Sequence, residues 1–338
     1  MRCPTLSELP PPPSGKTGWP WTQASPQPPD QMPDGAEWPK ISIVTPNYNY
    51  GRFIEETIRS VLLQGYPNLE YIVIDGGSTD DSVEIIKKYE PWLTYWVSEK
   101  DKGQANAINR GLEKATGHIA AYLNSDDTYL PSAFQHIAKI FYSKKCDILV
   151  GNRKPYQFKP KYYLLRRSWW LHHFNIFKPF IVPFIAFNFP DELPQESIFW
   201  NHTKFQNLKF NENYHFCLDT WWFYLIYSGA KVTHTTRRLG YFRSHLDSKT
   251  SNLQDIRDRE GSKLLKEWSS KTSSPIITND KFKIISVYKL ASIYAVLVKL
   301  ITPWLDVTFE YDHPDYLGVN EKKTSEVKNN ALPYHNHS

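Results

Sequence analysis

HIAAYLNSDDTYLP, residues 118 to 131, decides how the rest of the chain is read. Ile119 to Leu123 are uncharged and compact, as a buried strand requires, and polarity turns abruptly at Asn124, Ser125, Asp126 and Asp127. Two adjacent carboxylates therefore stand where a strand ends. In an open α/β sheet the carboxyl ends of the strands border the ligand crevice, so both acids are expected to face a cleft. Neighbouring like charges need a cation or hydrogen-bond donors beside them, and hard oxygen ligands suit Mg²⁺ or Mn²⁺. A solvated turn is built from the same residue types, and the flanking segments discriminate between the two.

Upstream, ISIVTP (41–46) is an apolar, β-branched run closed by proline. After the polar loop NYNYG, residues Phe53, Ile54, Ile58, Val61 and Leu62 recur at helical spacing until Gly65 and Pro67 stop the helix. LEYIVID (69–75) repeats the strand and again ends in a carboxylate. Ser78 with Asp81, and Asp81 with Glu84, have the spacing of helix caps for a helix through Val83, Ile85, Ile86 and Tyr89. LTYWV is a third strand, Gly103 to Ala115 a helix, and His118 to Leu123 the fourth strand. A helix through Phe134, Ile137, Ile140 and Phe141 and the strand DILVG (147–151) follow. Such alternation specifies a mostly parallel sheet with right-handed crossovers, with the loops after Pro46, Asp75 and Asn124 on one edge. The first loop lacks GxGxxG, and no P-loop lysine signature is present, which removes support from dinucleotide and ATP chemistry.

The 338 residues are 41% hydrophobic, enough for a core, and the net charge of +5 comes without long Lys/Arg blocks, so nucleic acid is not expected as a partner. Cys3, Cys146 and Cys217 have no paired spacing, which argues against a disulfide framework or zinc and for a reducing compartment. No basic n-region followed by an apolar run begins the chain, and a cytoplasmic location is the expectation.

ISIVTPNYN, YIVIDGGSTD, SEKDKGQANAINRGLEKATG and LNSDD, in this order, resemble the inverting family 2 glycosyltransferases of the GT-A fold. The resemblance is close over 39–151 and continues in PQESIFW, FCLDTWWFYLIYSGAKV and LGYFRSHLDSKTS to about Ser251. It implies an α/β, GT-A type, mostly parallel sheet flanked by helices, with an aromatic-rich acceptor-side insertion and C-terminal helices. It implies a metal-dependent, inverting transfer of a sugar from a nucleotide-diphosphate donor to a hydroxyl of a glycan or lipid-linked acceptor, in polysaccharide or glycoconjugate synthesis. Thr45, Pro46 and Tyr48 would lie against the nucleotide, and Asp75 would accept from a base N–H, unless it only caps the following turn. Lys102, Gln104 and Asn109 would approach the ribose and diphosphate. Asp126 would contact the ribose or sugar, and Asp127 would ligate the divalent cation (Mn²⁺ or Mg²⁺). Asp219 would be the base that takes the acceptor proton, although at a helix start it would also serve as a cap. Many relatives carry an acidic pair here, whereas this chain reads Cys217-Leu218-Asp219. Gln195, Glu196 and Trp200 resemble the acceptor-side loop. Arg243 would contact phosphate from a mobile lid in which His245 could add a metal ligand.

The implied layout is an extended, Pro-rich arm (1–38) outside the catalytic core that docks through Trp19 and Trp21, a transferase domain (39–252), a helical extension (253–305) and a polar tail (306–338). The domain divides into a nucleotide-sugar half (39–151) and an acceptor half (152–252) with the insertion 162–190. That insertion is aromatic and basic, interrupted by prolines, and cannot span a bilayer. It suits peripheral contact at the inner face of a membrane, an acceptor groove, or a local subcore, and the stretch 284–301 reads as an interfacial or packing helix. A non-catalytic sugar-nucleotide or glycan-binding protein is the competing reading. A glycoside hydrolase would share the two carboxylates but has no use for the nucleotide loop.

Overall fold

Strand β1 (Ile41–Asn47) is buried along its whole length, as is β2 (Leu69–Asp75), and the two pair in parallel with Ile41 opposite Leu69 and Asn47 opposite Asp75. Continuous apolar runs of this kind belong in a sheet covered on both faces. The computed structural model describes residues 1–152, 194–227, 230–243 and 245–271. The insertion 162–190, the stretch 284–301 and the tail 306–338 lie outside the described residues.

Between the first two strands runs α1 (Gly51–Leu62), whose Ile54, Ile58, Val61 and Leu62 are buried. Then come α2 (Ser82–Tyr89), β3 (Tyr95–Ser98), α3 (Gln104–Leu112), β4 (Ile119–Tyr122), the short β5 (Thr128–Tyr129), α4 (Ala133–Lys144) and β6 (Ile148–Asn152). A 3₁₀ turn at Gln195–Ser197 leads into β7 (Ile198–Asn201), then α5 (His202–Phe205), α6 (Leu218–Tyr227), β8 (Val232–Arg238), β9 (Gly240–Tyr241), α7 (Lys249–Asn252) and α8 (Gln254–Lys271). The main sheet has the order β3-β2-β1-β4-β7-β6-β8. Only β7 runs against its neighbours β4 and β6, and β5 pairs with β9 in a separate two-stranded ribbon. Because β1, β2 and β4 are parallel, their polar C-terminal loops open on the same edge. Gly111 lets α3 lie directly on β1, since a Cβ there would come within 2.3 Å of Val44 Cγ1.

Two features differ from the sequence reading. Asp81 stands at the N-cap of α2, yet its side chain makes no cap hydrogen bond. Asp80 takes that part: one carboxylate oxygen accepts from Ser82 N at 3.1 Å and the other from Gly51 N at 2.8 Å, joining the starts of α1 and α2. The Pro-rich arm is also less separate than its composition suggests. Cys3, Leu9, Met32 and Trp38 are buried in the same core as the sheet. Arg59, fully buried on α1, donates to the carbonyls of Pro10 (2.8 Å), Pro20 (3.0 Å) and Trp21 (2.9 Å), while Trp19 Nε1 donates to Tyr129 O at 2.8 Å. A proline-rich segment leaves many carbonyls without backbone donors, and one guanidinium supplies three of them here.

Candidate active site

The turn after β4 is fixed from α1. Thr57 Oγ1 lies 2.8 Å from Ser125 O and 2.7 Å from Asp127 O, so one buried hydroxyl donates into the backbone that presents both carboxylates. Asp126 faces the cavity at the sheet edge. Its Oδ2 is 3.0 Å from His245 Nε2, and the His245 ring packs on Phe53 with centroids 4.4 Å apart. Arg52 and Tyr50 hold the His245 segment through Asp247, the first by an ion pair and the second by a 3.0 Å bond to its carbonyl. Burial, with Asp126 and Asp247 adding to it, pushes the Tyr50 hydroxyl up to about 12, so it remains a donor at neutral pH. Asp127 is almost wholly buried (1% exposed) and its Oδ1 accepts from Arg243 N at 2.9 Å.

A cavity of about 740 Å³ opens beside these groups. Its wall includes Pro46, Tyr48, Lys100, Asp101, Gln104 and Asp126. Gln195, Glu196, Phe216, Leu218, Asp219 and Lys249 line it as well. Gln195 is clamped by Tyr122 O (2.8 Å) and Asn124 Nδ2 (3.2 Å). Tyr122 also lines the cavity; burial first, then the negative charges of Asp219, Asp127 and Glu196, push its hydroxyl well above the ordinary tyrosine value. Lys249 is exposed as a residue, but its ammonium end reaches Gln104 Oε1 at 2.5 Å inside the wall. Desolvation of that end pulls its pKa down against the opposing effect of Asp219, Glu260, Asp126 and Asp101. A second hollow, about 980 Å³, lies between the arm and α4; Asp30, the carboxylate in its described wall, is engaged by Arg2, and nothing there resembles a convergent polar site.

Several residues singled out from the sequence stand off the described wall of the 740 Å³ cavity. Asp75 is fully buried and saturated: Asn47 Nδ2 (2.7 Å) and Ser78 Oγ (2.5 Å) donate to one oxygen, and Gly77 N (3.2 Å), Ser78 N (2.9 Å) and Ser98 Oγ (2.6 Å) to the other. It shapes the GGS turn, in which Gly77 has φ +80°. Thr45 is buried behind it against Tyr71 Oη at 3.1 Å. Lys102 is exposed, and the lysine of that loop on the wall is Lys100. Asn109 is a clamp to another loop, donating to Phe210 O (2.9 Å) and accepting from Phe210 N (2.8 Å). Arg243 pairs with Glu56 at 3.0 Å over the Phe53 ring. Trp200 packs in the aromatic core with Trp222 and Phe210, because it lies on the covered face of β7.

Asp219 is in the first turn of α6 rather than at its cap, and its Oδ1 accepts from the adjacent Thr220 N at 2.7 Å. The amides leading into that helix are taken by Glu260. Sequence reasoning missed Lys100, Asp101, Lys249 and Glu260. Lys100, Asp101 and Lys249 lie inside quoted motifs, the first two differing from Lys102 only by the twist of the loop, whereas Glu260 follows the last of those motifs.

A mostly parallel sheet whose C-terminal edge carries a paired-carboxylate turn, faced by a second carboxylate wall, defines a GT-A type nucleotide-sugar transferase architecture. Residues 42–224 match the family described as Glycosyl transferase family 2, and the chain belongs to that family. Among curated proteins it is 34% identical over 125 residues to an uncharacterized glycosyltransferase of Nostoc sp., covering 34% of this chain and 39% of that protein. It is 34% identical over 111 residues to the putative teichuronic acid biosynthesis glycosyltransferase TuaG of Bacillus subtilis, covering 32% and 44%. The matched part thus spans under half of either relative. The fold is shared with S. aureus TarS (TM-score 0.52, 16% identity, 84% of this chain and 46% of TarS). It is shared also with the mannosyltransferase PcManGT of Pyrobaculum calidifontis, solved with GDP-Man and Mn²⁺ (TM-score 0.52, 18% identity, 85% and 79%). Among the described residues no helix is long and apolar enough to cross a membrane.

Proposed function

We propose that the protein is an inverting glycosyltransferase that moves a sugar from a nucleoside-diphosphate donor to a hydroxyl of a glycan or lipid-linked acceptor. One observation carries this reading: Asp126 from the donor half and Asp219 and Glu196 from the acceptor half line a single cavity. Asp219 takes the proton of the acceptor hydroxyl, the freed oxygen attacks C1 of the donor sugar, and the bond from C1 to the nucleoside diphosphate breaks on the opposite face. Lys100, Lys249 and Gln104 supply donors on the wall where the departing diphosphate would lie. Tyr122, kept protonated by its burial and the surrounding negative charge, offers a neutral hydroxyl in the same cavity.

The residues present fit a divalent cation. Among the described residues no group of three His, Cys, Asp or Glu side chains is placed to hold one. The donor set is instead Asp126 with His245 at 3.0 Å, backed by Asp127, and Mg²⁺ or Mn²⁺ commonly takes one or two carboxylates and completes its shell with substrate phosphates and water. Bound there, the ion would offset negative charge on the leaving diphosphate. Synthesis of a surface polysaccharide or glycoconjugate is supported by the name given to TuaG.

The test is to incubate the purified chain with UDP-, TDP- and GDP-sugars, with Mn²⁺ or EDTA, and to measure released nucleoside diphosphate. Turnover that disappears in EDTA supports the reading. Nucleotide binding with no turnover toward glycan or lipid-linked acceptors overturns it in favour of a binding protein.

A further inference from the structure

Glu260 lies on α8, beyond residue 224 where the family match ends. Its carboxylate is buried and accepts three consecutive backbone amides: His215 N at 2.7 Å on Oε1, and Phe216 N at 2.8 Å and Cys217 N at 2.9 Å on Oε2. Those are the residues immediately before α6, and the chain then places Leu218 and Asp219 on the cavity wall. The carbonyl side of the same segment is held too, because Lys249 Nζ lies 3.4 Å from His215 O. Leu264 is buried one helical turn along α8, and Lys263 covers the ring of Tyr214 at 5.0 Å, so the helix carrying Glu260 is itself seated.

A helix start ordinarily takes its cap from its own sequence. Here Asp219, the nearest acid, accepts from the next residue's amide at 2.7 Å and lines the cavity. An external carboxylate does the capping of the three amides that lead into α6, so the segment from which Asp219 departs is held from α8 rather than by Asp219 itself. We propose that Glu260 is a positioning residue: by capping the 215–217 segment from the C-terminal helix, it fixes the orientation of Asp219 and makes α8 part of the catalytic unit. This rests on Asp219 being the base. Glu260 touches neither donor nor acceptor, and it acts through the angle at which α6 leaves the 215–217 turn. An error of an ångström in the position of a base costs rate while leaving donor binding on the other wall intact.

The test uses the full chain as wild type, Glu260→Gln, Asp219→Asn and the double variant, assayed by nucleoside diphosphate release from whichever sugar nucleotide the wild type turns over. Glu260→Gln keeps one acceptor oxygen but turns an N–H toward an amide. Its kcat is expected to fall by about tenfold or more, with the donor KM and the calorimetric affinity for UDP, TDP or GDP within about twofold. Amide exchange at 215–217 should accelerate while the amides of β1 and β2 stay protected. If Glu260 works through Asp219, adding Glu260→Gln to Asp219→Asn should cost less than about twofold more. A merely structural cap would instead add its full cost in the double variant, or lower donor affinity along with kcat, and either result overturns the proposal, as does unchanged kcat in Glu260→Gln. Should that variant not fold, Glu260→Asp, which keeps the charge but shortens the reach, is judged against the same thresholds. Unchanged turnover in Asp219→Asn overturns the proposed base and the role of Glu260 with it. An impaired Asp219→Asn beside a silent Glu260→Gln overturns only the latter.

Discussion

His245 Nε2 and Asp126 Oδ2 meet at 3.0 Å across 119 positions of sequence. The contact ties the segment after β9 to the turn after β4, so the donor wall is closed by a part of the chain made long after the sheet that carries it. Phe53 stacks under the histidine ring and Arg52 holds the segment by pairing with Asp247, which gives the pair a seat on α1.

Asp126→Asn tests that pair with little disturbance to the fold, because Asp126 faces the cavity. Metal-dependent turnover should fall by about 10–100-fold with the melting temperature nearly unchanged. Asp127→Asn should differ in kind. It replaces a buried acceptor of Arg243 N, so both activity and thermal stability should drop. Equal stability losses in the two variants, or full activity of either in Mn²⁺, would refute the assignment.

Glu70 offers a stability test remote from the cavity. It is buried at the start of β2 and accepts from Ser42 Oγ (2.5 Å), Thr116 N (2.6 Å) and Thr116 Oγ1 (2.7 Å). Burial acts to raise its pKa, but the hydrogen bonds from Ser42 and Thr116, helped by Lys40, outweigh that and hold it below the ordinary value of 4.5. A folded-state pKa below the unfolded one stabilises the protein above the unfolded value, and the contribution is lost as pH falls through the folded one. Glu70→Gln should therefore destabilise by about 2 kcal/mol at pH 7, with an amide facing donors, and the gap to wild type should narrow on acidification below 4.5. Urea midpoints at neutral and acidic pH measure it; a gap independent of pH would show that the charge is not what matters.

The strands and their terminal carboxylates were legible because each rests on local pattern. An apolar run closed by Pro46 for β1, by Asp75 for β2 and by the polar Asn124 turn for β4 bounds these strands to within a residue or two, and a parallel order then puts their loops on one edge. What a carboxylate does once there depends on which donors reach it. Asp75 and Asp126 look alike in sequence, yet five donors converge on Asp75, whereas Asp126 faces the cavity beside a histidine from the other end of the chain. Trp200 reads as an acceptor contact by motif and packs as core because its strand face is covered. Glu260 belongs to no motif, Lys249 sits in one without standing out, and only the folding of α7 and α8 against the 215–217 segment brings them to the site.

Arg59→Ala should release the N-terminal arm. The guanidinium is fully buried and spreads its donors over Pro10 O, Pro20 O, Trp21 O and Tyr89 Oη. Truncation leaves those acceptors unpaired and opens a cavity, so stability should fall by about 3 kcal/mol or more. Limited proteolysis should then cut within residues 1–38 while the sheet remains protected. If Arg59→Ala melts as wild type and resists cleavage, the arm is held by its apolar anchors Trp21 and Trp38 instead.

Asp219→Asn should abolish sugar transfer while preserving nucleotide binding. Asp219 lines the same cavity as Asp126, and its Oδ1 keeps a hydrogen bond to Thr220 N that an asparagine oxygen can also accept, so the fold need not change. Proton removal matters most as the new bond forms, which puts the loss in kcat, about 10²–10⁴-fold for a missing general base. Calorimetry with UDP, TDP or GDP and Mn²⁺ is the control, and affinity should stay within about twofold. Because Glu260 rather than Asp219 caps α6, the melting temperature should also hold; a variant that melts early and loses nucleotide affinity in parallel would make Asp219 a structural residue. Full transfer in the variant would shift the base to Glu196, a buried carboxylate lining the same cavity.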